Sequence, residues 1–203
     1  MKRNNNRTKR IKGILSFVGA GIGTCLLVSA CTESYTPKPR GYFRIEPEQA
    51  IYRPLPSSAL PYTFEVSAKV KADTLPGRNI TNGWLTLHYP EMNATLYCSY
   101  LQARGKALDD ALSDSRRLAL KQQAIEDIQE KSYQHPQNQV YGSLYLLKGD
   151  CASPIQFVLT DSISRFFRGA LYYNFTPKAD SIAPVTDYLR KDIIHLIETF
   201  HWR

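Results

Sequence analysis

The chain has 203 residues and a formal net charge of +8, with 43% hydrophobic and 22% charged residues. Six of the positive charges, and no negative charge, fall within residues 1–30, so the rest of the chain carries only +2. That small balance excludes the strongly basic surface on which nucleic-acid binding depends. The residues after position 30 are numerous enough to bury the core of one domain.

The N-terminus has the pattern of a bacterial lipoprotein signal. A basic segment precedes an uncharged stretch at 13–30, which ends in Ser29-Ala30 and is followed by Cys31. This order is typical of a secretory signal, and the cysteine resembles the residue that is lipidated to become the mature N-terminus. We therefore expect residues 1–30 to be a signal peptide and Cys31 to be acylated. The alternative is a transmembrane helix, but a stretch this short and rich in glycine is a weak candidate to span a bilayer.

The segment after Cys31 is expected to be extended. Pro37 and Pro39 disfavour a helix, so residues 31–40 are predicted to tether the lipid to the folded part. A single domain is expected over 41–203, with a short first strand at 42–45.

Alternating apolar and polar residues predict strands in the first half of that domain. Residues 64–70 alternate with the period of a half-exposed strand. Residues 84–89 and 94–101 are two further strand candidates, joined by Pro90-Glu91-Met92-Asn93. This arrangement predicts a β-hairpin.

The pattern then changes to a helical period. Residues 105–134 are predicted to form one long amphipathic helix, because apolar and small side chains recur near one face. Three strands rich in Tyr, Phe, Val and Leu are expected after it, at 140–147, 155–160 and 166–175.

A closing helix is predicted after the last strand. Asp180-Ser181 is expected to cap it, with Pro184 in its first turn. The predicted class is therefore α+β, with a mainly antiparallel sheet on which a long central helix and a C-terminal helix pack. The order of elements loosely resembles that of PsbP-like domains.

Two cysteines remain after Cys31. An even pair in an exported protein favours a disulfide between Cys98 and Cys151. The alternative is two separate buried thiols, because cysteine is among the most buried residue types.

No catalytic or metal-binding constellation is apparent in the sequence. The histidines do not follow metal-ligand spacing, and no phosphate loop, dinucleotide motif or nucleophile elbow is present. Asp161-Ser162 after an apolar strand could belong to a site, but a turn or cap is the commoner role. We therefore expect neither a cofactor nor a bound metal.

Four segments carry a resemblance to a known family. They are Pro37-Lys38-Pro39-Arg40-Gly41-Tyr42-Phe43-Arg44-Ile45, Phe157-Val158-Leu159-Thr160-Asp161-Ser162, Phe167-Arg168-Gly169-Ala170-Leu171-Tyr172 and Asp180-Ser181-Ile182-Ala183-Pro184-Val185. Together they resemble the gliding motility lipoprotein GldD family over nearly all of the chain after Cys31. The resemblance implies a Bacteroidota envelope lipoprotein required for gliding and for type IX secretion, and it transfers no catalytic residue.

The expected function is that of a non-enzymatic component or assembly factor of this machinery, held in a membrane by the acylated Cys31 and facing the periplasm. Inner and outer membrane are not distinguished. Its expected partners are envelope proteins of the machinery. The candidate contact residues are Arg40, Tyr42, Arg44, Arg165 and Arg168. The alternative is an envelope enzyme or ligand-binding module that acts on glycans through an aromatic sheet face.

A modification site is also expected. Asp73-Thr74-Leu75 resembles the Asp-(Ser/Thr)-apolar acceptor pattern of O-glycosylation in Bacteroidota. We therefore expect glycosylation at Thr74, which precedes a predicted turn.

Overall fold

The computed structural model of the protein describes residues 50–57, 59–73 and 83–203. The chain divides into two units after Gly41, and every described residue belongs to the second unit. The predicted signal peptide, the tether at 31–40 and the strand at 42–45 lie outside the described residues. They and the boundary of the domain stay predictions.

The described residues form eleven strands and two helices. The strands are β1 Tyr52–Pro54, β2 Tyr62–Thr63, β3 Glu65–Ser67, β4 Lys71–Asp73, β5 Leu85–Tyr89, β6 Ala94–Gln102, β7 Asp127–His135, β8 Val140–Lys148, β9 Ile155–Thr160, β10 Arg165–Tyr173 and β11 His201–Trp202. The helices are α1 Lys106–Leu120 and α2 Ala179–Glu198.

Seven of the strands build one antiparallel sheet, in the order β4-β5-β6-β10-β9-β8-β7. The pairs β1–β3 and β2–β11 form two small antiparallel ribbons. The predicted α+β class with a mainly antiparallel sheet is thus confirmed. The strand predicted at 64–70 is interrupted, because β3 pairs with β1 whereas β4 joins the large sheet.

Two hairpins of the sheet close through turns of the same kind. A 3-10 turn at Pro90–Met92 joins β5 to β6, and another at Pro136–Asn138 joins β7 to β8. Proline fixes its own φ at a helical value and so favours the first position of such a turn. The residues that follow, Asn93 and Gln139, take positive φ angles of 48° and 52°. The β5–β6 hairpin is the one predicted from the sequence.

The central helix is shorter than the sequence pattern indicated. α1 ends at Leu120, and residues 127–135 form β7 instead of continuing the helix. Every residue of β7 pairs with a residue of β8, and the connection before it places Ala124 at a φ of 57°. The backbone hydrogen bonds of this ladder outweigh the weak helical preference of the segment.

The sheet buries a different cluster on each face. On the face covered by α2, the α2 face, aromatic rings meet at the centre of the core. The Phe167 ring lies 4.5 Å from Tyr62 and 5.0 Å from Phe200, centroid to centroid. On the opposite face, the α1 face, Leu108 and Ala119 of α1 belong to a smaller cluster. Apolar burial of this kind is the main stabilising term of the fold.

Helix α2 has the predicted apolar stripe, but it begins differently. Leu189, Ile193 and Leu196 are all buried, so the stripe faces the core as expected. The N–H of Ala179, at the start of the helix, donates to the carboxylate of Asp150, which lies in the connection between β8 and β9. A carboxylate at this end satisfies a backbone donor and complements the helix dipole. Pro184 lies in the second turn of α2, one turn later than predicted.

Candidate functional site

Five predicted site residues lie outside the described residues. They are Cys31, Arg40, Tyr42, Arg44 and Thr74. Their roles as lipidation site, partner contacts and glycosylation site therefore stay predictions.

The two remaining cysteines do not form the predicted disulfide in the structure. Cys98 and Cys151 are both free thiols and both are buried. Cys98 belongs to the cluster on the α2 face and Cys151 to the cluster on the α1 face. A disulfide requires the two Cβ atoms to lie about 4 Å apart, which side chains on opposite faces of a sheet do not satisfy. The structure thus corrects the predicted pairing and favours the alternative of two buried thiols.

The two described arginines among the predicted contacts lie on opposite faces of β10. The guanidinium of Arg165 lies 5.9 Å from the centroid of the Trp202 ring, over its face. Arg168 donates a 2.6 Å hydrogen bond to the side-chain oxygen of Gln156 on the neighbouring strand. The structure therefore does not bring them together, and each has a contact within the fold.

Asp161-Ser162 forms a turn between β9 and β10. Oδ1 of Asp161 accepts hydrogen bonds from the backbone N–H groups of Ile163, Ser164 and Arg165, at 2.7 to 2.8 Å. Burial by itself raises the pKa of Asp161, but these donors outweigh it and lower the pKa overall. Ser162 has a φ of 63°. The pair thus has the turn role that the sequence analysis considered commoner.

A polar cluster that the sequence did not reveal joins β1, β3 and α2. The Tyr52 hydroxyl donates a 2.9 Å hydrogen bond to Oδ1 of Asp192. The Tyr52 ring also stacks on His195, with 3.6 Å between centroids. Nε2 of His195 lies 2.7 Å from Oε2 of Glu65. We call Tyr52, Glu65, Asp192 and His195 the Asp192 cluster.

Asp192 is the least compensated charge of this cluster. Asp192 is only 4% exposed, and its Oδ2 has no hydrogen-bond partner within the described part of the chain. Burial raises the pKa of Asp192 above its ordinary value of 3.8, although the Tyr52 hydrogen bond and the nearby His195 act in the opposite direction. A buried acceptor without a donor costs free energy, so the burial of Oδ2 destabilises the ionised form of Asp192.

An open cleft lies next to Asp192, and the space that it encloses has room for about one water molecule. Its walls come from the segment after β3, from the β5–β6 turn and from α2. They comprise Ser67, Lys69, Tyr89, Pro90, Glu91, Met92, Tyr188 and Asp192. Nζ of Lys69 lies 3.1 Å from Oε2 of Glu91, and both side chains are largely exposed, so this ion pair marks the rim.

The cluster and cleft do not resemble a metal centre. Across residues 50–57, 59–73 and 83–203, no three His, Cys, Asp or Glu side chains group closely enough to hold a metal ion. The residues around Asp192 instead provide one buried carboxylate, tyrosine hydroxyls and apolar walls. That arrangement can receive a hydrogen-bond donor.

A second exposed surface lies on the α1 face of the sheet. α1 packs on β9 and β10, whereas large side chains over β6 remain exposed. Tyr97 is 52% exposed, and its ring meets Tyr172 edge to face at 5.9 Å. We call this region, with Trp84 and Leu101, the open sheet face. Tyrosine and tryptophan are enriched at protein interfaces, so its composition suits a protein contact.

One signal in the sequence could have revealed the Asp192 cluster. Asp192 follows Leu189 by three positions and precedes Leu196 by four, so it lies on the apolar stripe of α2. A carboxylate at a core-facing helical position is unusual. The partners could not be identified this way, because Tyr52 lies 140 positions away along the chain.

The described residues form an antiparallel α+β domain with a small open cleft beside Asp192, and neither of its helices is both long and apolar enough to cross a membrane. The chain belongs to the gliding motility lipoprotein GldD family, whose family model matches residues 32–202. The predicted resemblance is thus confirmed. Membership of a lipoprotein family makes the protein a lipid-anchored protein of the cell envelope, associated with a membrane.

Other comparisons add a loose likeness of fold. The solution structure of PsbP (CyanoP) from Synechocystis sp. PCC 6803 is similar with a TM-score of 0.45 and 11% sequence identity. The match covers 82% of this chain and 99% of that chain. No curated protein matches the sequence significantly.

We predict that Cys98 and Cys151 are free thiols in protein isolated from the envelope. Burial raises the pKa of both thiols, and the thiolate is the form that reacts with alkylating agents. Iodoacetamide without reductant should therefore label both cysteines slowly in the folded protein and completely after unfolding in guanidinium chloride. Peptide mass spectrometry measures the two sites separately. Recovery of a peptide pair joined through Cys98 and Cys151 would contradict the prediction.

We predict that Tyr52→Phe destabilises the fold in a pH-dependent way. The folded pKa of Asp192 lies above its unfolded value, so its contribution to stability is present at low pH and is lost as pH rises through the folded pKa. The Tyr52 hydroxyl supports the ionised form. Its removal should cost about 1–2 kcal/mol at neutral pH and less once Asp192 is protonated.

Urea unfolding of wild type and variant at several pH values measures this difference. Tyr172→Phe is the matched control, since it removes a tyrosine hydroxyl from the open sheet face and should change stability little at any pH. A cost for Tyr52→Phe that stays constant across the acidic range would contradict the prediction, because it would show that the Tyr52 hydroxyl does not favour the ionised form of Asp192.

Proposed function

We propose that the protein is a non-enzymatic component or assembly factor of the gliding motility and type IX secretion machinery. The observation that carries this proposal is the family match over residues 32–202, which begins directly after the predicted lipidated residue Cys31. A family-matched segment directly after a lipidated cysteine supports a protein that is anchored at a membrane and contacts other envelope proteins there.

Attachment is the first part of the proposed mechanism. One acyl chain binds a membrane only marginally, whereas two or three make the attachment stable. Residues 31–40 could span at most ~35 Å between the lipid and the domain when fully extended. The domain would therefore work within a short distance of the membrane surface, and we propose that it faces the periplasm.

Contact with envelope proteins is the second part. The proposed contact residues are Arg40, Tyr42, Arg44, Arg165 and Arg168. Of the two described residues, Arg168 lies on the α1 face, where its strand neighbour Tyr172 is exposed, whereas Arg165 is engaged with Trp202. Both side chains are half-buried, and Arg168 is also engaged, with Gln156; its place beside the exposed Tyr172 is what supports Arg168 as the proposed contact.

The alternative of a glycan-processing or glycan-binding protein receives less support from the described residues. Ligand pockets for small molecules usually occupy about 300–1,000 Å³ and enclose most of the ligand. The cleft beside Asp192 is open, and it encloses room for little more than one water molecule. Its two carboxyl groups already have partners within the fold, since Asp192 accepts a hydrogen bond from Tyr52 and Glu91 pairs with Lys69 at the rim.

Site-specific photo-crosslinking in native envelopes tests the proposal. A photoreactive residue placed at Tyr172, beside Arg168, should yield crosslinks to proteins of the motility or secretion machinery. The matched control carries the same residue at Ala107, an exposed position on α1, and should yield few. The proposal fails if the Tyr172 crosslinks contain no protein of that machinery, and equal yields at both positions would exclude Arg168 as a contact.

A further inference from the structure

We propose that β7, at the edge of the large sheet, is a docking site for an extended polypeptide segment of another protein, which carries an acidic residue opposite Lys131. The inference goes beyond the proposed function and does not depend on it. β7 is the last strand at one end of the sheet, whereas the crosslinking position Tyr172 lies on β10 within the open sheet face.

β7 offers a long unpaired backbone edge. Among the described residues it pairs with β8 alone. In an antiparallel pair, alternate residues direct their N–H and C=O groups toward the partner strand, so about half of the nine residues of β7 direct theirs outward. These groups form a row of donors and acceptors about 30 Å long. An extended segment satisfies such a row by adding one more strand to the sheet.

β7 lacks the features by which sheet edges are usually protected. Protection comes from short strands, proline, bulges or a covering element. The opposite edge of this sheet follows the rule, because β4 has only three residues. β7 has nine residues and no proline, and its register with β8 runs from Asp127 to His135 without a bulge. None of its residues is buried, so the edge is open along its length.

The charges of β7 favour a partner with an acidic residue. Asp127 pairs with Lys148, and Glu130 pairs with Arg116. Lys131, at the centre of the strand, has no ion-pair partner among the described residues. Opposite charges on directly paired residues stabilise two adjacent strands, whereas like charges destabilise them. An acidic residue opposite Lys131 is therefore the most favourable pairing at this position.

Lys131 also disfavours the pairing of two copies of this chain. Two antiparallel copies of β7 that overlap along their whole length are centred on Lys131, the fifth of the nine residues. The two ammonium groups then lie opposite each other, which is destabilising. Lysine on an edge strand is a common means of preventing self-association. The favoured occupant is therefore a segment of a different protein.

Two half-buried apolar side chains define further preferences of the edge. Ile128 packs against the cluster on the α1 face, and Tyr133 packs against the cluster on the α2 face. Because both are partly exposed, an added strand covers more of their surface. Pairs of apolar, β-branched and aromatic residues across strands are favourable. The partner segment is thus extended, apolar opposite these two residues and acidic between them.

A designed peptide tests the proposal on the lipidated protein in nanodiscs. The peptide has nine residues, all threonine except for valine at the third and eighth positions and glutamate at the fifth. In an antiparallel register along the whole of β7, these three positions lie opposite Tyr133, Ile128 and Lys131. The fluorescein-labelled peptide should show a saturable rise in anisotropy with the protein and none with empty nanodiscs. Absence of saturable binding would overturn the proposal.

Two N-methylated versions of the peptide test whether its backbone makes the contact. Methyl groups on the third and fifth amide nitrogens block one edge of the extended peptide, and those on the fourth and sixth block the other. An added strand uses one edge alone. One version should therefore compete with the labelled peptide almost as well as the unmodified peptide, and the other should be about tenfold weaker or more. Equal affinities of the two versions would rule out strand addition.

A charge reversal tests the position of the acidic residue. The wild-type protein should bind the glutamate peptide several-fold more tightly than a peptide with lysine at the fifth position, and Lys131→Glu should show the opposite preference. Lys191→Glu makes the same change at an exposed position of α2 and should keep the wild-type preference. If Lys131→Glu also keeps that preference, the assignment of the acidic residue to this position is wrong.

Hydrogen exchange of the backbone amides, followed by NMR, distinguishes the occupants. In the isolated lipoprotein, alternate amides of β7 should exchange rapidly and become protected when the glutamate peptide is added. Protection of all β7 amides before the addition would overturn the proposal, because the edge would already be occupied. Protection that falls as the protein is diluted would assign the edge to a second copy, and protection that does not fall would assign it to another part of the same chain.

These outcomes are independent of the crosslinking experiment. Absence of machinery proteins from the Tyr172 crosslinks would refute the proposed function and leave strand addition at β7 intact. Failure of the peptide to bind would refute the docking edge and leave the proposed function intact.

Discussion

The docking of α2 on the sheet is the constraint on which the other features depend. Leu189, Ile193 and Leu196 are essentially inaccessible to solvent in the cluster on the α2 face, and full burial of one such side chain stabilises a fold by about 1.5–3 kcal/mol. The chain after α2 returns as β11 and places Phe200 against the aromatic core. Helix α2, the large sheet and the C-terminal residues are therefore held together by one apolar cluster.

The same docking buries Asp192. A carboxyl group on the core-facing stripe loses most of its hydration, and among the described residues only the Tyr52 hydroxyl compensates for that loss by a hydrogen bond. Tyr52 belongs to β1, the first described strand after the predicted tether. The cleft beside Asp192 thus lies where the beginning of the described fold, the β5–β6 turn and α2 meet.

The sequence predicted those parts of the fold that local patterns determine. The strands at 140–147, 155–160 and 166–175 were found because aromatic and branched residues form uninterrupted runs there. Residues 127–135 were misassigned to a helix, since their polar composition fits an edge strand only once β8 is present as a partner. The Asp192 cluster was missed for the same reason, because Tyr52 and Asp192 become neighbours only through tertiary packing.

The central claim is that α2 buries an incompletely compensated carboxyl group. Its most direct test is the pKa of Asp192, measured by following the side-chain carboxyl ¹³C signal through a pH titration, with Asp192→Asn to assign that signal. We expect the pKa of Asp192 to lie above the ordinary value of 3.8 and to rise further in Tyr52→Phe. A pKa at or below 3.8 in the wild-type protein would show that the carboxylate is fully satisfied, and would contradict the account.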